Sequence, residues 1–321
     1  MRAVFRRSPP LGSFVDEWWA LYAEPNLERS TLRIYGWVWE HHARPRLGRL
    51  RLREVSPLTI AGFRAELEAS GVGAESIRKT LTMLQSVFQR AVEWQLLDVN
   101  PVRAAPKPLT GRARAVPAIG PELVEAMRGR LLLRGRELDA ALLALLAYAG
   151  LRPGEALGLE WRHVRERTLL VEQAVADGQV KGLKNRRRSR AVRLLEPLRE
   201  DLERLRADGA VIARADGGYW RETDWRNWRR RVFRPVAEVV GLVGARPYDL
   251  RHAFASLLIA EGRMSIVEIA AQLGHNPTVC LDIYGHEMAE RWAGEVRSAE
   301  RLIMGARVTG RVAQVPHPEH G

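Results

Sequence analysis

Arginines, histidines and a tyrosine stand in this sequence where the apolar pattern calls for burial. In LLALLAYAGLRPGEALGLEW a strongly apolar helix ends at Gly150, and Arg152 follows before Pro153 opens a new turn. A guanidinium wedged between two apolar runs has two readings. It is a buried ion pair with Glu155 or another carboxylate, or a fork held at a helix junction to grip an oxyanion with paired donors. In RPYDLRHAFASLLIAEG, Leu250, Phe254, Leu257 and Leu258 face a core, which sets Asp249 and Arg251 beside that core near the helix start. His252 reads as a structural histidine satisfied within the fold. In AAQLGHNPTVCLDIYGHE, Gly274 ends a helix, His275 sits at the break, and Tyr284 follows after a short helix. Taken alone, Tyr284 is as well explained as a packed aromatic, and Cys280 as a small buried apolar residue.

The whole chain is basic. Its 321 residues hold 51 Lys and Arg against 38 Asp and Glu, a formal net charge of +13 that calls for a polyanionic partner, nucleic acid ahead of anionic membrane. With 46% hydrophobic and 28% charged residues the chain is neither disordered nor collagen-like, and its length suits two domains. The single cysteine excludes a disulfide framework and a cysteine-based zinc site. The sequence has no metal-ligand cluster, so no metal or cofactor is expected. No apolar run approaches the roughly 18 residues a membrane span needs. MRAVFRRSPP is basic but lacks the apolar stretch of a signal peptide. A soluble, cytoplasmic protein with no membrane partner is expected.

Periodicity predicts the elements that must position these groups. Ser13 as cap and Asp16 at the third helical position open a helix over 13–22, with Leu11, Phe14, Val15, Trp18, Leu21 and Tyr22 at helical spacing. A second helix runs over 30–42, with Leu32, Tyr35 and Trp39 on one face. SPLTIAGFRAELEASG is a third, capped by Ser56, with Pro57 in its first turn and Gly71 past its end. The fourth covers 75–95 with a stripe of Ile77, Leu81, Leu84, Phe88, Ala91 and Val92. Residues 1–100 therefore form an all-α domain. Residues 101–120, with four prolines, four basic residues and no acid, read as an extended linker, either crossing a phosphate backbone or a plain hinge. Helices at 121–132, 136–149 and 154–159 are followed by strands at 168–176, near Lys184, and at 189–195, with a turn at Asp177-Gly178. Further helices cover 197–207, 223–240, 249–261, 265–273 and 287–304. The second domain, 121–305, is thus α+β with a three-stranded antiparallel sheet, and 306–321 is a flexible tail.

The ordered set Arg152, Lys184, Arg251, His275, Tyr284 in these contexts closely resembles the tyrosine recombinase family of phage integrases and Xer-type recombinases. The strongest matches are AGLRPGEALGL, DLRHAFAS and LGHNPTVCLDIYGH, and the likeness spans nearly the whole chain. SPLTIAGFRAEL and the VNP before the linker are similar to the family's core-binding helical domain. The resemblance implies a site-specific DNA recombinase that cleaves and rejoins DNA through a 3′-phosphotyrosine.

The residue types suit that chemistry. The transition state at a phosphodiester concentrates charge on the non-bridging oxygens, which two guanidinium groups can grip. A hydrogen bond to a charged group contributes about 1.5–3 kcal/mol. Tyr284 would attack phosphorus. A phenol with an ordinary pKa near 10 costs about 4 kcal/mol to ionise at pH 7, a cost that neighbouring arginines reduce. In VKGLKNRRRSRAVRLL, Lys184 would protonate the leaving 5′-oxygen, with Lys181 a rival; the segment also reads as a solvated face that grips phosphates. Where the family often has a histidine three residues before its second arginine, this chain has Tyr248. A phenol can hydrogen-bond a phosphate oxygen but accepts a proton poorly, so His275 would bear more of that role. Glu155 would support the first arginine.

Arg78, Lys79, Arg112, Arg114, Arg186, Arg187 and Arg188 are candidate DNA contacts. The final helix, with Trp292, Val296 and Ile303, either docks on a neighbouring copy or packs on its own chain. Recombination implies double-stranded DNA and a tetramer on paired sites. The short stretch before the first helix argues against a separate arm-binding domain. A type IB topoisomerase-like relaxase would share the chemistry yet act alone. A non-catalytic DNA-binding regulator explains the charge but not the ordered set, and an RNA-binding protein would want an aromatic-rich sheet.

Overall fold

The computed structural model describes residues 8–105, 119–182, 189–281, 283–284 and 298–312. The chain divides into two compact units, Met1–Ala115 and Val116–Gly321. No helix among the described residues is long and apolar enough to cross a membrane.

The first unit is all helix. α1 (Leu11–Trp18) opens two residues earlier than the capping pattern predicts, behind Pro10 and without a side-chain cap, so Ser13 lies inside it. α2 (Arg29–Val38) follows. Each of these helices runs into a wide π turn, Trp19–Ala23 and Trp39–Ala43, and then resumes as Glu24–Asn26 and Arg44–Leu47. Both resumed pieces carry a proline at their second position, Pro25 and Pro45. A proline ring inside a helix collides with the carbonyl four residues back and has no N–H to give it. Widening the preceding turn removes both conflicts. It also rotates the phase, so Leu21, expected on the apolar face, is 61% exposed while Trp18 is fully buried.

α3 (Pro57–Ala69) begins as the sequence dictates: the Ser56 hydroxyl accepts from the Thr59 N–H at 3.1 Å, and Gly71 past the end has φ +74°. α4 (Ala74–Glu93) buries Ile77, Leu81, Leu84, Phe88 and Ala91 as its stripe requires. The expected linker starts later than its composition implies. Pro101–Ala104 is a 3₁₀ turn packed on α3 and α4, with Pro101 and Val102 buried. Asn100 holds it, donating to the Gln85 carbonyl at 3.0 Å and accepting from the Val102 N–H at 3.0 Å.

The second unit is built around α6 (Glu137–Tyr148), buried along every residue from Ala140 onward, as a helix that is apolar all round must be. α5 (Pro121–Leu132) and α11 (Leu250–Glu261) pack on it. Between them come α7 (Pro153–Leu157), β1 (Thr168–Val171), β2 (Gln173–Ala176), β3 (Gln179–Gly182), β4 (Arg190–Arg193) and α8 (Glu196–Glu203). α9 (Glu222–Trp228) passes through a third π turn, Arg229–Phe233, into α10 (Arg234–Val239), again with a proline, Pro235, at the second resumed position. α12 (Ile266–Leu273) and α13 (Ala299–Val312) complete the described elements.

The expected three-stranded sheet is replaced by two two-stranded antiparallel ladders, β1 with β4 and β2 with β3. The stretch 168–176, read as one strand, changes partner at Glu172: Val171 pairs with Arg190, whereas Gln173 pairs with Gly182. The Gln173 amide is turned aside to the Gly158 carbonyl and the Glu160 carboxylate, both at 2.8 Å. The turn expected at Asp177-Gly178 is present, both residues at positive φ (52° and 72°), as a two-residue hairpin of the I′ kind requires.

α13 is helical to Val312, into the stretch expected as a tail. Of the final-helix residues, Trp292 and Val296 lie outside the described residues, while Ile303 is buried against its own unit and α13 packs on α5. Arg307 of α13 donates to Asp201 at 3.0 Å and to the Pro197 carbonyl at 3.1 Å, and stands 3.3 Å from Glu125. Arg128 meets the same Asp201 at 2.6 Å, and the Tyr148 hydroxyl donates to Glu125 at 2.6 Å. Two carboxylates, buried Glu125 and half-buried Asp201, thus balance two guanidinium groups, buried Arg128 and half-buried Arg307. Removing one cation leaves a buried negative charge uncompensated, at a cost of about 3 kcal/mol. Arg307→Ala is therefore expected to lower stability by about that amount in urea unfolding, whereas Arg301→Ala, an exposed position on the same helix, changes it by about 0.5 kcal/mol or less.

Candidate active site

Two left-handed glycines shape the site. Gly150 (φ +57°) turns the chain out of α6, and Gly274 (φ +61°) closes α12. The α12 end is a Schellman motif: the Gly274 N–H donates to the Ala271 carbonyl at 3.0 Å and the His275 N–H to the Ala270 carbonyl at 2.9 Å. Neither glycine has room for a side chain. A Cβ at Gly150 would lie 2.6 Å from the Phe254 ring, and one at Gly274 would lie 3.1 Å from the Arg190 guanidinium. The carbonyls of both glycines accept hydrogen bonds from arginines, Gly150 from Arg251 and Gly274 from Arg152 at 2.7 Å.

Glu155 is the centre of the cluster. Pro153 starts α7, which places Glu155 in its first turn, 3% exposed, with its carboxylate reaching back to Arg152. It accepts from the Arg152 backbone N–H at 2.9 Å and from the Arg152 guanidinium at 2.8 Å. Arg190 of β4 grips both of its oxygens, at 3.0 and 2.7 Å, and donates its Nε to the Gln272 carbonyl at 2.8 Å. Arg251, 1% exposed, comes within 3.9 Å of the same carboxylate and donates to the Gly150 and Leu273 carbonyls. The expected pairing of Arg152 with Glu155 is therefore real, and it orients Arg152 within a larger cationic group.

Three guanidinium groups around one carboxylate leave a net charge of +2, and this charge biases the protonation of every titratable group beside it. Burial pushes the Glu155 carboxyl up, but the bonds and charges of Arg190 and Arg152 outweigh it and bring it down to about 2. Burial and the Arg152 charge bring Arg251 down to about 10, which leaves it charged at neutral pH. Burial, then the charges of Arg251 and Arg152, bring His275 down to about 4, so it is a neutral imidazole at pH 7. Among the described residues the His275 Nδ1 and Arg251 Nε atoms are buried without a hydrogen-bond partner. Both can serve a substrate oxygen.

Asn276 and Pro277 start the helical stretch that carries Cys280 and Tyr284, the Asn276 side chain accepting from the Thr278 N–H at 3.0 Å. Tyr284 is 1% exposed, and its hydroxyl lies 2.7 Å from Nδ1 of His252. Cys280 is buried, as expected. His252, half-buried, is in turn close enough to His275 to act on its titration. Tyr248 sits in the 3₁₀ turn before α11, 41% exposed.

Arg152, Glu155, Arg251 and His275 thus share one cluster, with Tyr248 at its edge and Tyr284 joined to it through His252. Lys181 lies on β3. Lys184, Arg186, Arg187, Arg188, Arg112 and Arg114 lie outside the described residues. Arg78 and Lys79 are on α4 in the other unit, paired with Glu75 at 2.8 and 3.6 Å. Sequence alone left Arg190 unassigned. Arg190 is in phase with buried Val192 on β4, which marks it as inward-facing. His252, expected as a histidine satisfied within the fold, has the phenol of Tyr284 as a partner.

A cationic cluster with an unpartnered guanidinium N–H and imidazole nitrogen, beside a buried hydrogen-bonded phenol, has the chemistry to bind a phosphate ester and transfer it to the protein. The comparisons agree with that class. The model of the phage integrase family matches residues 126–291. The shufflon-specific DNA recombinase of Escherichia coli is 26% identical over 280 residues, covering 84% of this chain, and the match spans 63% of that protein's length. The tyrosine recombinase XerC of Methylobacterium sp. (strain 4-46) is 30% identical over 255 residues, 72% of each chain. Among solved structures, the Tn1549 transposon integrase bound to transposon right-end DNA superposes with a TM-score of 0.71 at 15% identity, over 88% of this chain and 98% of that one, and shares the fold. The chain belongs to the phage integrase family, whose members are tyrosine recombinases.

The Glu155 shift carries a sign. Its folded value lies below the ordinary one near 4.5, so its stabilisation is complete above about pH 5 and is lost as pH falls toward 2. Glu155→Gln is expected to cost about 3 kcal/mol at pH 7. In urea unfolding of both proteins, the gap should narrow steadily between pH 5 and pH 2.5.

Proposed function

We propose that this protein is a site-specific DNA recombinase that cuts and rejoins duplex DNA through a phosphotyrosine on Tyr284. The carrying observation is the excess of two positive charges around Glu155, beside a phenol already hydrogen-bonded to an imidazole. A phosphodiester supplies one negative charge, and its transition state gathers more on the non-bridging oxygens, where Arg152 and Arg251 donate. His275, held neutral, donates its one N–H to the same oxygens. Arg190 charges and orients Glu155, and Glu155 orients Arg152. Tyr248 offers its hydroxyl at the rim. Lys184 protonates the 5′-oxygen as it leaves, and the bond to Tyr284 is to the 3′-phosphate, as the family likeness implies. The covalent link keeps the energy of the ester, so rejoining needs no external energy source.

The helical unit is the core-DNA-binding domain and the second unit the catalytic domain, with the basic, proline-rich stretch 101–120 between them in the sequence. Arg78, Lys79, Arg112, Arg114, Arg186, Arg187 and Arg188 are the phosphate contacts. Each chain brings one nucleophilic tyrosine, Tyr284, and cuts one strand. Exchanging two duplexes requires four cuts, and so a tetramer on paired sites, acting in the cytoplasm.

A nicked suicide duplex, carrying the site that wild-type protein enriches from a random-sequence pool, tests the reading on a denaturing gel. Wild type should form a covalent adduct. Tyr284→Phe should form none, and Arg152→Ala or Arg251→Ala should lower the rate by at least about 100-fold. A wild-type complex that dissolves fully in detergent would refute the proposal in favour of a non-catalytic regulator. An adduct with relaxation of supercoils but no exchange between two sites would favour the relaxase.

A further inference from the structure

We infer that His252 is the group that takes the proton from the Tyr284 hydroxyl during strand cleavage and returns it during rejoining. The inference rests on the recombinase reading above and deepens it. The position three residues before Arg251 holds Tyr248, whose phenol accepts a proton poorly. His275 stands in the field of Arg251, Arg152 and Arg190, which disfavours a further positive charge there. His252 is the imidazole whose nitrogen meets the nucleophile, Nδ1 at 2.7 Å from the Tyr284 oxygen. That distance is already within reach for proton transfer.

Helix geometry explains how two such different groups occupy one site. Arg251 and His252 are consecutive on α11, so their side chains leave the helix about 100° apart. Arg251 turns into the core, fully buried among carbonyls, while His252 stays half-buried. His275 is half-buried as well, and it is the imidazole on which the charges of Arg251, Arg152 and Arg190 are seen to act.

The step balances. In the tautomer with hydrogen on Nε2, the Nδ1 lone pair receives the phenol proton as the O–H bond breaks. The phenolate oxygen forms its bond to phosphorus, the bond from phosphorus to the 5′-oxygen breaks, and Lys184 gives that oxygen a proton. In rejoining, the 5′-hydroxyl attacks phosphorus, its proton returns to the lysine, and the His252 imidazolium reprotonates the leaving phenolate.

The test uses the full-length protein and the nicked duplex enriched by wild type, with single-turnover adduct formation as the readout. DNA binding by gel shift and folding by circular dichroism are measured on every variant. His252→Gln keeps an acceptor for the phenol but cannot take its proton. It should lose about 100-fold in adduct rate, with DNA affinity within twofold of wild type. His252→Ala should lose as much and recover at least tenfold in added imidazole. A His252→Gln variant that cleaves at the wild-type rate, or faster, would overturn the inference and leave His252 as a restraint on the tyrosine. Failure of imidazole to restore a folded, DNA-binding His252→Ala variant would overturn it as well. In either case adduct formation by wild type leaves the recombinase reading standing, and an inactive wild type would sink both.

Discussion

Three guanidinium groups cannot share a buried volume unless an anion stands between them. Glu155 is that anion, and the rest of the catalytic unit is arranged to keep it there. Its four close hydrogen bonds come from both oxygens and reach α7 and β4 at once. Like charges at these separations repel by several kcal/mol at an intermediate effective dielectric. The single carboxylate lowers that repulsion without cancelling it. A fully neutralised cluster would be more stable and would have no electrostatic reason to bind a phosphate. The excess charge is tolerated because backbone carbonyls of Gly150, Leu273, Gly274 and Gln272 take up further guanidinium donors, while the Arg251 Nε is left without a partner.

Much of this was legible in the sequence, for physical reasons that differ from residue to residue. Arg152 and His275 stood out at helix breaks between apolar runs and Arg251 beside a core, while Tyr284 became legible only as the last member of the ordered set that resembles the family. Ser56, Pro57 and Gly71 marked the ends of α3 because capping is a local interaction. Arg190 was hidden because a four-residue strand gives too few alternations to tell an inward arginine from an outward one among so many basic neighbours. His252 was hidden because its partner is 32 residues away and only the fold brings the two together. The break at Glu172 was invisible for a similar reason. Propensity says that 168–176 is extended, and only the partners decide that it serves two ladders.

Helix α11 holds the charge clamp and the imidazole in one rigid piece. Arg251 is tied to carbonyls from α12 and from the end of α6, and His252 is tied to Tyr284. The elements carrying Arg251, His252 and Tyr284 are therefore linked to one another through α11. The dispersed order of these residues along the chain is converted into one site by two chain reversals, at Gly150 and Gly274, whose left-handed geometry points peptide oxygens inward.

The three π turns have a consequence of their own. Each inserts one extra residue into a helical rod, and every side chain beyond it is advanced by about 100° relative to a regular helix. The prolines at positions 25, 45 and 235 thus act as angular vernier settings. They aim the downstream half of a continuous helix, such as the one from Glu222 to Val239, at a different neighbour from the upstream half. Drift of these prolines by a single position would re-aim whole faces of the protein while leaving its helices intact.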